Sequence, residues 1–485
     1  MRYQNVLLVL PRYYKGVYRL SILPPAGLGY IAEALNNAGV SSEVLDMNLH
    51  YDFADLCRKI VEFKPDLIGF SIMTFGHKEL YRIINETKKK FPYLKIVVGG
   101  PHVSMLRGKV LEDCLGIDYG IILEGDLSII ELCKGNDLES IQGFIFRDRD
   151  KVITNNFGKF ITSLDSLNFP KYTSFELDKY PTKQIGIVTS RGCPYDCIYC
   201  PVNSAIGKQF RYRSDQNIIS EIEFWYLKGY KEILILDDNF TLLRSRVEKL
   251  CDLLKEKNFV GLSLKCPNGI RADRVDYNLL KRMRQVGFDM LSFGVEAAED
   301  RVLQRIKKGE SISTIEEGIR NACDLGYDVD LFFLIGSPGE SLNDLKTSFA
   351  LSLRYPVRSA RFYNIIPFPT TELFAWIKDN NYFLRSENDI INNASHFINE
   401  PCFFTPEMSA EDRRKAFKLA RKVSKIIRRR FIIKKVKGPE IFKNLFGLIY
   451  ASDIVENMLN NSAILVRIKE VLKSFCLRVL NNTPK

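Results

Sequence analysis

No stretch of this 485-residue chain approaches the ~18 consecutive apolar residues needed to cross a bilayer. The amino terminus, Met1-Arg2-Tyr3-Gln4, leads into only six apolar-biased residues before Pro11, too short for a signal peptide, so a cytoplasmic protein is expected. Neither a GxGxxG nor a P-loop occurs, which removes the usual pointers to a dinucleotide or a nucleoside triphosphate. Histidine is scarce, with four in the chain and no cluster, so a histidine-built metal site is not indicated. The eleven cysteines are odd in number and most sit singly in helix- or strand-like segments, as Cys57, Cys114, Cys251 and Cys323 do. That usage belongs to a reducing compartment, not to a disulfide framework.

What is present is globular: 46% hydrophobic and 26% charged residues, no low-complexity tract, and length enough for two or three domains. The net charge of +12 is concentrated. Between Arg413 and Lys437 stand thirteen Lys and Arg and no acid, leaving the rest of the chain close to neutral.

Three cysteines break the solitary pattern. Ser190-Arg191-Gly192-Cys193-Pro194-Tyr195-Asp196-Cys197-Ile198-Tyr199-Cys200 places Cys193, Cys197 and Cys200 within eight residues, after the apolar run Ile185–Val188. Thiolates this close favour a soft metal or an iron–sulfur cluster. A four-iron cube needs four ligands, and the next cysteines are as far off as Cys251 and Cys266, so one iron would stay open to a ligand that is not protein. A zinc site completed from afar, or three unrelated buried thiols, are the competing readings. The spacing, with aromatic Tyr199 before Cys200, resembles the CxxxCxΦC signature of the radical SAM superfamily, in which S-adenosylmethionine chelates the open iron of a [4Fe–4S] cluster. The resemblance implies Cys193, Cys197 and Cys200 as cluster ligands and Tyr199 beside the S-adenosylmethionine.

From Asn5 to about Cys133, strand-like runs (5–10, 42–46, 66–72, 95–100, 119–123) alternate with helical patterns (27–37, 51–63, 78–90). This predicts a doubly wound, Rossmann-like α/β domain over 1–140 that binds ligands beyond the carboxyl ends of its strands. Ser71 to Thr74, Gly99-Gly100-Pro101-His102 and Glu124-Gly125-Asp126 follow the third, fourth and fifth runs, and their small residues admit a bulky ligand to the backbone. Together with Pro24-Pro25-Ala26-Gly27-Leu28-Gly29-Tyr30 they resemble the cobalamin-binding domain that precedes many radical SAM domains. The resemblance implies cobalamin held near Ser71, Thr74, Gly99, Gly100, His102, Glu124 and Gly125. The DxHxxG motif that supplies an axial histidine is absent, since Met47 and Asn48 follow Asp46; many radical SAM relatives lack it too. His77 and His102 are expected to satisfy loop carbonyls and not to ligate cobalt, with His102 lining the nucleotide-tail pocket.

Gly143–Asn155 reads as a hairpin and 163–171 as a linker, so 141–180 is taken as hairpin and linker. Over 181–370 the strand-then-helix pattern recurs about six times, which fits the superfamily's partial (β/α)6 barrel, with chemistry at the carboxyl ends of its strands. Those ends carry Asp237-Asp238-Asn239-Phe240, Asn268 to Asp273, Gly294-Val295-Glu296 and Gly336-Ser337-Pro338-Gly339-Glu340. By resemblance Asp238 meets the amino group of S-adenosylmethionine, Arg271 and Glu296 hold its methionine or ribose portion, and the glycines of 336–340 let adenine lie on the backbone. Glu340 taken alone reads equally as the start of the next helix.

Residues 371–485 match no motif and are expected to form a mainly helical, basic region. Ser409 is a good helix cap, and Phe417, Ala420, Val423, Ile427 and Phe431 share one side of the helix it starts. The basic side is either a solvated face or a contact with an anionic membrane surface or nucleic acid. The apolar excess of 442–450 favours the membrane over 409–450, and nucleic acid is the disfavoured partner.

The resemblance implies an enzyme that takes a small-molecule substrate, lipid or otherwise apolar by preference, and an electron donor such as flavodoxin or ferredoxin. Its reaction is expected to be methyl transfer from methylcobalamin to an unactivated carbon after a 5′-deoxyadenosyl radical removes hydrogen. Alternatives are a radical SAM/cobalamin oxidative cyclase or rearrangement enzyme, a tRNA methylthiotransferase, which the spacing of Cys57, Cys114 and Cys133 speaks against, and a non-catalytic cluster or corrinoid carrier.

Overall fold

The computed structural model describes residues 1–12 and 23–435. Its contacts group the chain into two compact units: Met1–Tyr180 with Gly186–Glu221 and Ile366–Ser395, and Pro181–Ile185 with Ile222–Ile365 and, among the described residues, 396–435. The expected divisions at 140, 180 and 370 follow chain order, whereas the units do not. Long-range bonds account for this: Arg191 and Arg211 pair with Glu124, and Leu373 N donates to Ile198 O at 2.9 Å, all within the first unit.

The first unit is built on β1 (Asn5–Leu10), β2 (Ser41–Asp46), β3 (Leu67–Ser71), β4 (Lys95–Gly99) and β5 (Tyr119–Ile121), all parallel, followed by β6 (Phe144–Asp148) and β7 (Lys151–Thr154), which add antiparallel in the order β2-β1-β3-β4-β5-β6-β7. The hairpin expected over 143–155 is β6 and β7. Alternation along β1 divides its residues between two cores: Leu7 and Val9 pack with Leu56, Ile60 and Ile84, and Val6, Leu8 and Leu10 with Leu28, Leu35 and Leu132. Helices Phe53–Phe63 and His77–Lys90 therefore cover one face, Ala26–Asn37 and Ser128–Lys134 the other, as a sheet buried on both sides requires. The strand order reverses between β1 and β3, which opens a crevice at their carboxyl ends. A small cavity there is lined by Pro11, Arg12, Met73, Phe75 and His77.

Strand β8 (Gln184–Ile187) leads into a short antiparallel ribbon of β9 (Ser190–Arg191) and β10 (Arg211–Tyr212). The second unit continues with β11 (Glu232–Ile235), β12 (Ser263–Ile270), β13 (Phe288–Glu296), β14 (Asp328–Ile335) and β15 (Ser359–Asn364). Its sheet runs β15-β14-β13-β12-β11-β8 in unbroken sequence order, with a helix in each connection of its body, which is the expected partial barrel. Buried Phe240, Phe288, Phe293 and Phe333 fill its core. The connecting helices have their own start signals. Asp276 accepts from Leu279 N, and Ser341 forms a capping box with Asp344.

Helix Ala410–Lys435 starts as the sequence indicates, Asp412 N donating to Ser409 Oγ at 3.1 Å. It packs on β15 and on helix Leu342–Arg354, burying Ala416, Phe417, Ala420 and Ile427. Among the described residues no helix is long and apolar enough to cross a membrane. The apolar run 442–450 lies outside the described residues.

Candidate active site

The cysteine loop is closed at its base by backbone that only glycine can supply. Gly192 has φ +89°, and a Cβ there would drive into the Gln209 carbonyl; Gly207, at φ +102°, lies against the Phe160 ring. Cys193 N donates to Gly207 O at 3.3 Å, Cys200 N to Cys197 O at 3.1 Å, and Asn203 Nδ2 to Tyr195 O at 3.0 Å. Cys193, Cys197 and Cys200 are partly exposed and form no disulfide, whereas Cys114, Cys133 and Cys251 are buried. Burial pushes the Cys114 thiol up to about 11 and those of Cys133 and Cys251 up to about 12, so these stay protonated and inert. Among the described residues no three His, Cys, Asp or Glu side chains converge as they would around a single ion. A cube asks for wider spacing, because each thiolate takes a different iron. Three thiolates and an aromatic on one anchored, accessible loop fit a four-iron cluster by the chemistry of the donor set.

The residues expected to hold cobalamin gather at the carboxyl ends of β3, β4 and β5. Gly100 (φ +102°) has no room for a side chain, since a Cβ would stand 2.9 Å from the Ile72 carbonyl oxygen. The turn starts a helix, Pro101–Leu106, that packs on the helix Val202–Ala205 of the cysteine loop. His77 Nδ1 donates to Thr74 O at 2.7 Å, as expected of a loop histidine. His102 does not satisfy a carbonyl through its ring: it is fully buried, stacks on His77 at 4.4 Å, and its Nε2 is hydrogen bonded to the Tyr81 hydroxyl at 3.0 Å. Burial, and next His77, push it down to about 3, so it is neutral. His102 Nδ1 and Thr74 Oγ1 are buried and have no protein partner. Such orphaned groups call for an occupant, and beside the crevice they fit a polar ligand such as a corrinoid tail. Ser71, Gly99 and Gly125 border the same strand ends. Glu124 is engaged elsewhere. Its Oε1 accepts from Arg191 Nη1 at 3.0 Å and Arg211 Nη1 at 2.7 Å, and its Oε2 from Ile161 N at 3.1 Å. Gly29 also has a packing reason, lying under the Tyr172 ring.

Tyr199 lies with the cysteines in the first unit, while Asp238, Arg271 and Glu296 are in the second. After β11, Asp238 is pushed up to about 6, by burial and then by Asp237. Both side-chain polar atoms of the adjacent Asn239 are buried without a partner. Arg271 and Glu296 belong to one network. Glu296 ends β13 in the left-handed region (φ +64°), which turns its carboxylate to Lys308 Nζ at 3.2 Å. Lys308 lies 3.5 Å from Glu310, and Arg271 donates to Asp273 and to the carbonyls of Lys308 and Gly309. Arg271 therefore supports the Lys308 turn. Lys308, Glu310 and Asn239 escaped the sequence reading. Asn239 stood within the quoted Asp237-Asp238-Asn239-Phe240, but Lys308 carried no local signal.

The loop after β14 also departs from expectation. Space beside Gly336 (φ +86°) is taken by the Arg413 guanidinium, which donates to Gly336 O at 2.5 Å and lies 4.0 Å over Phe403, so that face of the loop is not open to adenine. Glu340 does not cap the next helix, a task Ser341 performs. Instead it folds back to accept from Gly336 N at 2.7 Å and Ser337 N at 3.2 Å. Burial pushes it up to about 8, and burial pushes Arg413 down to about 10.

Residues 187–351 match the family model for the radical SAM superfamily, and residues 17–132 that for the B12 binding domain. An uncharacterized methyltransferase of Pyrococcus horikoshii is 26% identical over 456 residues, covering 92% of this chain and 95% of that protein. The cytidylyl-2-hydroxyethylphosphonate methyltransferase of Streptomyces wedmorensis is 28% identical over 77% of this chain and 81% of its own length. The fold is shared with the radical S-adenosylmethionine methyltransferase TsrM from Kitasatospora setae, whose structure holds cobalamin and a [4Fe–4S] cluster; the TM-score is 0.74 at 18% identity, over 92% of this chain and 99% of that one. A radical SAM domain implies a [4Fe–4S] cluster and S-adenosylmethionine, and a B12-binding domain implies cobalamin. With the one domain following the other along its length, the chain belongs to the radical SAM superfamily, in the branch that carries a cobalamin-binding domain.

Proposed function

We propose that the protein is a cobalamin-dependent radical SAM methyltransferase that places a methyl group on a carbon bearing no acidic proton. One observation carries this reading: the three-thiol loop packs, through helix Val202–Ala205, on the helix that begins at Gly100 and His102 in the cobalamin-type sheet. The names of the Pyrococcus and Streptomyces relatives support methyl transfer as the outcome. When bound, the reduced cluster supplies the electron that splits S-adenosylmethionine, and the corrinoid supplies the methyl group.

The chain's own residues bind, orient and seclude. Cys193, Cys197 and Cys200 would hold the cluster, with S-adenosylmethionine bound beside them. Asp238, beside the orphaned amide of Asn239, takes the ammonium, and Lys308 with Glu296 takes the polar groups of the methionine or ribose. Thr74, Gly100 and His102 accept the corrinoid, with Ser71, Gly99 and Gly125 keeping its approach clear. Tyr199, next to Cys200, lies beside the S-adenosylmethionine. A small-molecule substrate and a reductant, flavodoxin or ferredoxin in class, complete the reaction. The outward basic side of helix Ala410–Lys435 suits an anionic membrane surface, and an apolar substrate would be met there.

Anaerobic reconstitution with iron, sulfide and hydroxocobalamin tests the reading. Reduced wild-type protein is expected to yield 5′-deoxyadenosine from S-adenosylmethionine, and Cys197→Ala to lose both the visible cluster absorption and that product. Comparing metabolites of cells with and without the protein then separates methyl gain from the loss of hydrogen or gain of oxygen that an oxidative cyclase gives. Retention of cleavage by Cys197→Ala, or a protein that stays free of cobalt under saturating corrinoid, refutes the proposal.

A further inference from the structure

Arg191 and Arg211 are directly opposed in the β9–β10 ribbon that carries the cysteine loop. Like charges facing each other across two strands are destabilising, and a two-residue ribbon has little else to hold it. The opposition is relieved from the first sheet. Glu124 Oε1 bridges both guanidinium groups, and Asp126 receives Arg191 bidentately, Oδ2 from Nη1 at 2.8 Å and Oδ1 from Nη2 at 3.1 Å. The clamp is largely withdrawn from water: Arg211 is 4% exposed and Asp126 3%, and the side chains of Glu124 and Arg191 are 6% and 13% exposed. Arg191 also lies 4.9 Å over the Tyr30 ring, and Arg211 4.5 Å over that of Phe160, which seals the far side. Arg191 is two residues from Cys193 along the chain.

We infer that Glu124 and Asp126 are positioning residues for the iron–sulfur loop and not groups that hold the corrinoid. The turn after β5 is a fixed anchor from which two arginines suspend the cluster, so the cobalamin-binding domain sets the cluster's place as well as the corrinoid's. A buried, bidentate carboxylate–guanidinium pair resists displacement because removing either partner strands a charge in a dry environment. The inference rests on the cluster assignment in the proposed function, and the experiment keeps the two apart.

The full chain and its Asp126→Asn, Arg191→Gln and Arg191→Lys variants are reconstituted with iron, sulfide and hydroxocobalamin. Bound cobalamin, the cluster's midpoint potential and the change in its electron paramagnetic resonance spectrum on adding S-adenosylmethionine are then measured. Reduction adds an electron to the cluster, so nearby positive charge raises the potential. Asp126→Asn leaves Arg191 under-neutralised and is expected to shift the potential upward. Arg191→Gln leaves the acids in excess and shifts it downward. Both keep their cobalamin and lose the spectral response to S-adenosylmethionine, while Arg191→Lys, which keeps the charge without the fork, holds the wild-type potential yet weakens that response. A fold defect alone moves the two charge-changing variants the same way, and that result overturns the inference. So does loss of cobalamin from Asp126→Asn with an unaltered cluster. A wild-type chain that takes up no cluster at all defeats the proposed function itself and the inference with it.

Discussion

Replacing Asp238 by Asn tests whether the strand-end carboxylate is kept ionised at a cost in stability. Burial, and then Asp237, raise its carboxyl from 3.8 to about 6. A shift of about two units corresponds to roughly 3 kcal/mol favouring the protonated form in the folded chain. Because the folded value is the higher one, the stabilisation is present below about pH 4 and is lost as pH rises through 6, so ionised Asp238 opposes folding in full at pH 7.5. Asn cannot ionise. The ligand-free variant should therefore unfold at higher temperature or urea concentration than wild type at pH 7.5, by up to about 3 kcal/mol, and by roughly half that at pH 5. Binding should move oppositely. Loss of a charge-assisted contact to the ammonium of S-adenosylmethionine costs about 1.5–3 kcal/mol, on the order of 10- to 150-fold in affinity. Wild-type affinity should fall as pH drops through about 6, and the variant's should not. Unfolding followed at the two pH values, with equilibrium dialysis of labelled S-adenosylmethionine alongside, reads both. A variant less stable than wild type at pH 7.5, or stabilised equally at both pH values, refutes the reasoning.

Gly100→Ala forces a side chain into a left-handed turn and against the Ile72 carbonyl, at a cost of about 1–3 kcal/mol. Cobalamin retention on gel filtration should fall while the cluster's iron content is unchanged; equal retention would dissociate this turn from the corrinoid. On helix Ala410–Lys435, Lys418 and Lys422 are exposed. Reversing both to Glu should weaken sedimentation with anionic phosphatidylserine vesicles by at least about 2 kcal/mol, roughly thirtyfold, with no change in cleavage of S-adenosylmethionine. Undiminished sedimentation would assign that face to solvent.

Much of the molecule could be read from the chain alone because its signals are local. Three thiols in eight residues point to metal or cluster chemistry wherever the loop lies, and the 2.0 and 3.6 periodicities already mark both sheets and most of their covering helices, the short Ser128–Lys134 excepted. Residues at strand ends are singled out by topology, which is why Asp238, Glu296, Gly100 and His102 could be named as candidates from the sequence. Their neighbours could not be. Lys308 approaches Glu296 only because the backbone turns left-handed at Glu296, and nothing in either residue type announces that turn. Among thirteen basic residues, helix phase alone buries Arg413 and sends it to Gly336, 77 positions away.

Glu124 marks the division most plainly. Its position after a strand, beside Gly125, is written in the sequence, and so is its suitability for a cofactor loop. Its engagement is decided by Arg211, 87 residues distant, and by Arg191 opposite it, brought within hydrogen-bonding reach by the folded chain. Sequence thus determined which elements form and which chemistry they carry, because propensity, periodicity and ligand spacing act over a few residues. Which charge each buried carboxylate meets was settled by tertiary structure, since a desolvated ion takes whatever partner packing brings to it.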